Sequence, residues 1–573
     1  MSAAGKNRIA TGAAARELLG RSVGRRFSRA WSRADGWSAA VAVLFLAGVA
    51  VRWAAIFPVT RFPADADCIQ TGLCALKILA GDLRVFYNGV RIGALESYLH
   101  ALAFLALGSS RRAMGIAPFL SSTATMWVWW RLLGRLAGRR AACFGLAFIA
   151  LPSPAFLFWT AQPNGYAEIL LLCAATLWLA VEVARKPERP GLLLAFGLAA
   201  GLAWWASVQT ICCTLPALLW LAAQPRLRRL GLALSSRGLA LAALGFALGA
   251  APWIYFNVRF PLASFSSLNS VSRPAPGLAP VAGNLRFVAT YSLPELALSL
   301  DPEGGSNPPG RLARALFWPA GAIYLAAVVF FATALFPAGR NWHRAPGEDS
   351  PDALSGRPPS PRSAVWLAVL VVAVTAAVNV FSAAGSTRGL IVRYVLPVYL
   401  FAPFALGLLL AAVFGRKRWL APALALPILL FDASVYFWPW TPMRRRLAVA
   451  EAGERSAFAD LTRQGVEAVV GEYWLVYPLN FLSRERIAGI PCLAAADLYG
   501  TRAALARPPR RWALLDYSGE AVTARMAAAG IPGRLHFYPP SYALFLPRSL
   551  DTGLPLPERT PEAFLARLCP PAP

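Results

Sequence analysis

Histidine, lysine and acidic residues are all scarce in this 573-residue sequence. It has 28 Asp and Glu residues against 56 Lys and Arg, and only three histidines. Three histidines argue against a histidine-built metal site, and the eight cysteines form no CxxC zinc pattern. The sequence also lacks a GxxxxGK[ST] phosphate loop, which argues against ATP-driven chemistry within the chain. No cofactor can therefore be assigned with certainty.

Apolar residues are abundant, because 57% of the chain is hydrophobic and the mean hydropathy is +0.50. Such a composition requires a bilayer as solvent. The net charge of +28 would suggest nucleic acid in a soluble protein. Here the arginines fall in short clusters between long apolar runs, as they do in cytoplasmic loops. We therefore expect membrane lipids, and no nucleic acid, as partners.

About eleven apolar runs reach the length needed to cross hydrocarbon, which is roughly 20 residues. The first run, 38–57, follows a basic segment, 1–37, which we place in the cytoplasm. Later basic clusters recur after every second crossing, as the positive-inside bias requires, and they lie at 131–140, 185–189, 226–237, 340–362 and 416–418. The sequence thus predicts an all-α polytopic protein of the cell (inner) membrane, with its transmembrane domain at 38–439.

One apolar segment, 95–108, is too short to be a crossing. Its 14 residues would span about 21 Å as a helix, against a hydrocarbon core of roughly 30 Å. We therefore place it along the outer membrane surface. As a result, 58–112 becomes one external loop with two interfacial helices, at 67–80 and 95–107.

The C-terminal part, 440–573, has no long apolar run and alternates helical and strand-like patterns. It follows an odd number of crossings, so we expect a small extracytoplasmic α/β domain. Cys492 and Cys569 either pair there or remain two small buried apolar side chains. The predicted elements are a helix at 447–464 and strands at 466–470, 512–515 and 542–546.

Carboxylates are nearly absent from the apolar runs but occur in the first external loop. Most acids at a membrane surface are simply solvated. Asp65 and Asp67 differ because they open an amphipathic helix, whose N-terminus favours a carboxylate at the interface. They also follow the first crossing within ten residues, where a lipid headgroup would lie.

Several segments together resemble GT-C fold glycosyltransferases, in particular bacterial relatives of protein O-mannosyltransferases and aminoarabinose transferases. The stretch FPADADCIQTGLCALKILAGDLRVFYNGVRIGALESYLHALAFLALG is similar to their first periplasmic loop. Similar segments follow in the same order: RLLGRLAGRRAA, PNGYAEILLL, APWIYFNVRF, RYVLPVY and EYWLVYPLNFLSRERI. In many relatives the acidic pair is adjacent, whereas Cys68 follows Asp67 here. Either Asp65 replaces the second acid or the site is altered.

The resemblance implies transfer of a sugar from a polyprenyl-phosphate donor to an acceptor hydroxyl on the extracytoplasmic face, with inversion. Such a reaction needs a carboxylate within hydrogen-bonding reach of that hydroxyl. Asp67 is the candidate base, with Asp65 and Glu96 as further catalytic candidates. Glu96 and Glu168 could orient the acceptor or bind sugar hydroxyls, and Tyr166 could stack on the sugar. For Glu168, a purely structural role in the first turn of a helix is an equal alternative.

The leaving lipid phosphate calls for fixed cations, preferably arginines, at the outer headgroup level. The candidates in predicted external segments are Arg91, Arg259, Arg388 and Arg393, with Tyr394 beside the last. A surface arginine that snorkels is the alternative for each. For Arg52, near the outer end of the first crossing, we expect snorkelling.

Other interpretations stay open. A divalent ion could bridge Asp65, Asp67 and a diphosphate-like group, but a monophosphate donor would not need it. A secondary transporter or lipid flippase would also be polytopic, and Asp432 is the clearest acid within a predicted crossing. A catalytically silent scaffold is a third reading. The sequence does not distinguish a lipid, glycan or protein acceptor.

Overall fold

A computed structural model of the chain describes residues 36–59, 66–88, 92–224, 236–265, 278–298, 311–333, 361–381, 391–437, 440–492, 509–516, 518–538, 542–547, 565, 568 and 569. Three candidate site residues, Asp65, Arg91 and Arg388, lie outside these residues, as does nearly all of the basic segment 1–37.

Helices dominate the described residues. The N-terminal helices are α1 Gly36–Val59, α2 Ala66–Leu79, α3 Leu95–Leu107, α4 Arg111–Met114, α5 Ile116–Ala150, α6 Pro154–Ala161, α7 Tyr166–Arg185, α8 Pro190–Ala206, α9 Ile211–Ala222, α10 Ser236–Gly249 and α11 Ala251–Arg259. The later helices are α12 Leu278–Phe287, α13 Leu293–Leu298, α14 Arg311–Thr333, α15 Pro361–Phe381, α16 Ile391–Tyr394, α17 Leu396–Tyr399, α18 Ala402–Arg416, α19 Leu420–Phe437 and α20 Trp440–Arg463.

Five of the helices in the described part of the chain are long and apolar enough to cross a membrane. Two bent helix pairs raise this number to seven if each pair forms one span, and four shorter apolar helices accompany them. The long spans are Gly36–Ile56, Tyr166–Arg185, Arg311–Thr333, Arg362–Phe381 and Leu396–Arg416. The chain is thus a helical membrane protein, whereas the count of about eleven crossings stays a prediction.

Helix α5 is a hairpin of two helical halves rather than one long rod. Gly138, at φ 82° and ψ 171°, breaks the helical backbone, a conformation that glycine adopts without steric cost. A Cβ on Gly145 would lie 2.6 Å from Cδ1 of Leu133, and one on Gly134 would lie 3.9 Å from Cβ of Ala142. In a straight helix Leu133 and Gly145 would be about 18 Å apart. The basic cluster 131–140 therefore lies at the hairpin bend, consistent with a loop between two crossings.

Helices α8 and α10 approach each other through glycines. A Cβ on Gly197 or Gly201 would collide with the carbonyl oxygens of Ala242 and Phe246 on α10. Each helix carries a small-xxx-small spacing, which lets helix backbones meet closely in a membrane. The C-terminal end of α8 also lies beside the loop that follows α2, where Nε1 of Trp205 donates to the Val85 carbonyl at 2.9 Å.

Arg52 is not a snorkelling surface residue, so that prediction was wrong. Its side chain is only 2% exposed. Its guanidinium donates to the carbonyl oxygens of Ile149 at 2.8 Å and Ala150 at 3.3 Å, at the C-terminal end of α5. The last carbonyls of a helix lack partners within the helix and favour a cation, so Arg52 joins α1 to α5.

Helices are present at both predicted positions, as α2 and α3, with bounds within one residue of those expected, whereas their interfacial placement stays a prediction. Helix α3 exposes Leu102 and Leu105 on one face, by 63% and 71%, and buries Glu96 and His100 on the other. An exposed leucine face suits a helix lying on a bilayer. A two-stranded pair, β1 Phe86–Asn88 and β2 Ile92–Gly93, joins the two helices.

The C-terminal residues form a five-stranded sheet with two helices. The elements are β3 Ala468–Gly471, α21 Tyr473–Leu482, β4 Ala488–Pro491, β5 Trp512–Asp516, α22 Gly519–Ala528, β6 Gly533–Tyr538 and β7 Tyr542–Pro547. The strand order in the sheet is β4-β3-β5-β7-β6. Strand β3 pairs in parallel with β4 and β5, and β7 runs antiparallel to β5 and β6. Strands occur where the sequence predicted them. Cys492 and Cys569 form a disulfide, with Cα atoms 5.0 Å apart, which decides the alternative left open by the sequence.

Candidate active site

Asp67 lies in the first turn of α2, and its side chain is 25% exposed. The helix N-terminus contributes unpaired N–H groups and a favourable dipole for its carboxylate. The next residue, Cys68, points into the protein with 5% exposure, and its Sγ lies 3.9 Å from Oε1 of Gln162. The acid and the cysteine therefore occupy different environments although they are adjacent in sequence.

Two distant segments meet at the Asp67 carboxylate. The hydroxyl of Tyr473 donates to Oδ1 of Asp67 at 2.6 Å. Nη1 of Arg393 lies 3.9 Å from Oδ2, with 16% of the arginine side chain exposed. Thus Asp67, from the first loop, is placed between α16 and the first turn of α21.

Arg393 is surrounded by aromatic rings. Its guanidinium carbon lies 5.7 Å from the ring centroid of Trp159, 6.0 Å from that of Tyr166 and 5.3 Å from that of Tyr394. Such rings stabilise a cation through their quadrupoles and restrict its orientation. Nε of Arg393 has no hydrogen-bond partner among the residues that the structure describes. That atom is buried, so the rings hold the guanidinium in place and only the exposed 16% of the side chain is open to an anion.

The turn 163–165 connects the elements that carry the site residues. Gly165, at φ 92°, precedes α7 in a left-handed conformation. The Thr71 hydroxyl donates to the Pro163 carbonyl at 3.0 Å, and the Tyr87 hydroxyl donates to the Asn164 carbonyl at 3.2 Å. This turn therefore ties α2 and β1 to the start of α7, which carries Tyr166.

Glu96 and Glu168 lie together in the interior, with 0% and 4% exposure. Burial, followed by the nearby Glu168, raises the pKa of Glu96 well above its usual value. Burial lowers the pKa of His100 to about 3. His100 Nε2 lies 3.7 Å from Glu96 Oε1. Both glutamates are almost completely buried, so their direct contact with an acceptor stays a prediction.

Of the candidates in the described part of the chain, Asp67, Tyr166, Arg393 and Tyr394 come together. Arg259 does not join them, because it lies exposed at the end of α11, with its guanidinium 5.5 Å from the Phe260 ring. Within the described residues, no group of three or more His, Cys, Asp or Glu side chains could hold a metal ion. Asp65 lies outside those residues, so the predicted divalent ion stays a prediction.

Sequence reasoning missed two residues of this site, Tyr473 and Gln70. Gln70 is fully buried one turn after Asp67, and its amide nitrogen hydrogen-bonds to the Tyr473 hydroxyl. Tyr473 lies 406 positions from Asp67 in sequence. The segment EYWLVYPLNFLSRERI was recognised as similar to the family, but no local pattern indicates which of its side chains contacts the first loop.

The fold and the site together define a class: a helical membrane protein in which a carboxylate in the first turn of a helix meets an arginine. Residues 94–256 match the family model of dolichyl-phosphate-mannose-protein mannosyltransferases. This segment is less than a third of the chain. No curated protein matches the sequence.

Two solved structures of ArnT from Cupriavidus metallidurans share the fold. The structure bound to undecaprenyl phosphate has a TM-score of 0.55 at 15% identity, and covers 88% of this chain and 97% of its own. The apo structure has a TM-score of 0.53 at 14% identity, and covers 90% of this chain and 99% of its own. The resemblance to GT-C fold glycosyltransferases predicted from the sequence is therefore confirmed.

Proposed function

We propose that this protein is a membrane glycosyltransferase that moves a sugar from a polyprenyl-phosphate donor to an acceptor hydroxyl. The observation that carries the proposal is the contact of a partly exposed Asp67, in the first turn of α2, with Arg393. The fold and the family segment support the same reaction class. The similar ArnT structure binds undecaprenyl phosphate, which supports a lipid-phosphate donor here.

Asp67 acts as the general base in this proposal. The acceptor oxygen attacks the anomeric carbon, its proton passes to the Asp67 carboxylate, and the sugar passes through an oxocarbenium-like state. The bond between the anomeric carbon and the phosphate oxygen breaks, and its electron pair leaves with the lipid phosphate. A single displacement of this kind inverts the anomeric carbon.

Arg393 stabilises the leaving phosphate. Charge grows on the phosphate oxygens as the glycosidic bond breaks, and a preorganised guanidinium stabilises that charge more than water does. The rings of Trp159, Tyr166 and Tyr394 hold the guanidinium in place before the donor binds. Tyr166 and Tyr394 are thus donor-side residues. No step in this mechanism requires a metal ion.

We place the site and the C-terminal sheet on the extracytoplasmic side, and the N-terminus in the cytoplasm. The arginine clusters between the apolar runs support this orientation through the positive-inside bias. The disulfide between Cys492 and Cys569 supports it independently, because structural disulfides persist in oxidising compartments.

The decisive experiment measures transfer of labelled sugar in proteoliposomes from a panel of polyprenyl-phosphate sugars. Wild type is compared with Asp67→Asn, and Asp82→Asn serves as the matched control. Asp82 lies in the same loop, is half exposed and pairs with Arg84 at 2.7 Å. We expect Asp67→Asn to lose about 10²- to 10⁴-fold in kcat, as for other general bases, with donor binding unchanged and Asp82→Asn near wild type.

Each outcome has a defined meaning. Full turnover in Asp67→Asn would exclude this residue as the base. Product with the retained anomeric configuration, determined by NMR, would exclude the single displacement. If wild type transferred none of the sugars but moved a solute or lipid across the bilayer, the transporter or flippase interpretation would replace the transferase.

A further inference from the structure

The C-terminal part of the chain packs directly against the helix that carries Asp67. Tyr477 and Phe481 of α21 join a buried apolar cluster with Ile69 and Leu73 of α2. A Cβ on Gly72 would lie 2.9 Å from the Phe481 ring, so α21 seats closely on α2. The two helices therefore pack this closely only where Gly72 of α2 faces Phe481 of α21.

Charged pairs at the edge of this contact fix it further. Both Nη atoms of Arg111 on α4 bind the Glu454 carboxylate on α20 in a bidentate pair. Glu454 is only 5% exposed, and a bidentate arginine pair adds geometric specificity. Lys77, at the end of α2, lies 3.8 Å from Glu485.

The first turn of α21 brings Tyr473 to the Asp67 carboxylate. The amide nitrogen of the fully buried Gln70 donates to the Tyr473 oxygen. A phenol has one hydrogen, and this geometry directs it to Oδ1 of Asp67, 2.6 Å away. The relay from Gln70 through Tyr473 to Asp67 fixes the rotation of the carboxylate.

We propose that Tyr473 is a positioning residue for catalysis, by which the C-terminal part of the chain orients the base in the first loop. This inference rests on the proposed role of Asp67 as the base. Orientation matters because proton transfer requires the carboxylate within hydrogen-bonding reach of the acceptor hydroxyl. Transfer therefore depends on correct docking of α21 on α2.

The test uses the full-length protein in proteoliposomes and compares Tyr473→Phe with Trp474→Phe. Phenylalanine keeps the ring packing and removes only the hydroxyl. Trp474 is the matched control, because it is the next residue, 45% exposed, and its ring meets that of Tyr473 edge-on at 4.8 Å. We expect Tyr473→Phe to lower kcat roughly 10-fold or more, with KM for the donor and acceptor within 2-fold, and Trp474→Phe to match wild type.

A second variant, Gln70→Leu, removes the donor that directs the phenol and is expected to lower kcat without changing KM. Added to Asp67→Asn, Tyr473→Phe should cause no further loss, since a positioning residue acts through the base. The inference is wrong if Tyr473→Phe keeps wild-type kcat, if Trp474→Phe loses as much, or if KM rises while kcat stays constant. Full turnover in Asp67→Asn alone would instead refute the base assignment.

Discussion

Replacement of Arg393 tests whether the site stabilises a leaving phosphate. We consider Arg393→Ala, which removes the cation, and Arg393→Lys, which keeps the charge but loses the planar fork. Lysine cannot donate in the bidentate geometry that phosphate favours, and it stacks less well on aromatic rings. The two variants therefore separate the effect of charge from the effect of shape.

The expected loss follows from the distances. Two unit charges about 4 Å apart interact with about 4 kcal/mol at an effective dielectric of about 20, and partial exposure reduces this to roughly 1–2 kcal/mol. The three ring contacts at 5.3–6.0 Å hold the guanidinium equally before and during the reaction, so they add nothing to the difference between ground state and transition state. At 1.4 kcal/mol per factor of ten, a loss of roughly 1–2 kcal/mol should lower kcat of Arg393→Ala about 5- to 30-fold. Arg393→Lys keeps the charge and should lose less than Arg393→Ala.

The assay is single-turnover sugar transfer from a saturating polyprenyl-phosphate donor, which separates chemistry from binding. Arg84→Gln is the control, since Arg84 lies in the first loop, which also contains Asp67, is 40% exposed and pairs with Asp82. The reasoning fails if Arg393→Ala stays within 3-fold of wild type. It also fails if Arg84→Gln loses as much activity, because a general surface charge would then be sufficient.

Two further predictions concern stability. Because the folded-state pKa of Glu96 is raised, its neutral form favours folding at low pH, and this contribution is lost as pH rises above the ordinary glutamate value. The thermal unfolding midpoint should therefore fall less steeply with rising pH in Glu96→Gln than in wild type. Equal slopes of midpoint against pH for the two proteins would contradict the burial argument. The disulfide between Cys492 and Cys569 closes a separation of 77 residues. Its removal by serine substitution should cost about 2–4 kcal/mol, measured by denaturant unfolding of the C-terminal part, and an unchanged midpoint would exclude a stabilising role.

Local patterns predicted the elements around the site but not the contacts between them. The position of α3 followed from an apolar run too short to cross hydrocarbon, that of α2 from an amphipathic pattern, and the strands β3, β5 and β7 from strand-like patterns. Their mutual placement depends on tertiary packing, which periodicity does not encode. Arg52 shows the same limit, because its position near a predicted membrane edge favoured snorkelling. Its carbonyl partners on α5 lie 97 and 98 residues away.

The site itself was predictable only where a family pattern existed. The resemblance named Asp67 and Arg393, and the structure brings them within 3.9 Å. It did not name Tyr473, because no local pattern shows which side chain of the recognised segment EYWLVYPLNFLSRERI reaches Asp67, 406 positions away. Glu96 and Glu168 were predicted to lie at helix ends that could face one cleft. The structure buries both side chains, and their contact with an acceptor stays a prediction.

Cys68 raised the question of whether the site had lost an essential acid. Adjacent residues on a helix point about 100° apart, and here Asp67 is partly exposed while Cys68 faces Gln162 in the interior. A carboxylate at position 68 would be buried there and would need a partner to offset its desolvation. It could not replace Asp67 beside Arg393. The cysteine therefore leaves the contact between Asp67, the proposed base, and Arg393 in place, which argues against a catalytically silent scaffold.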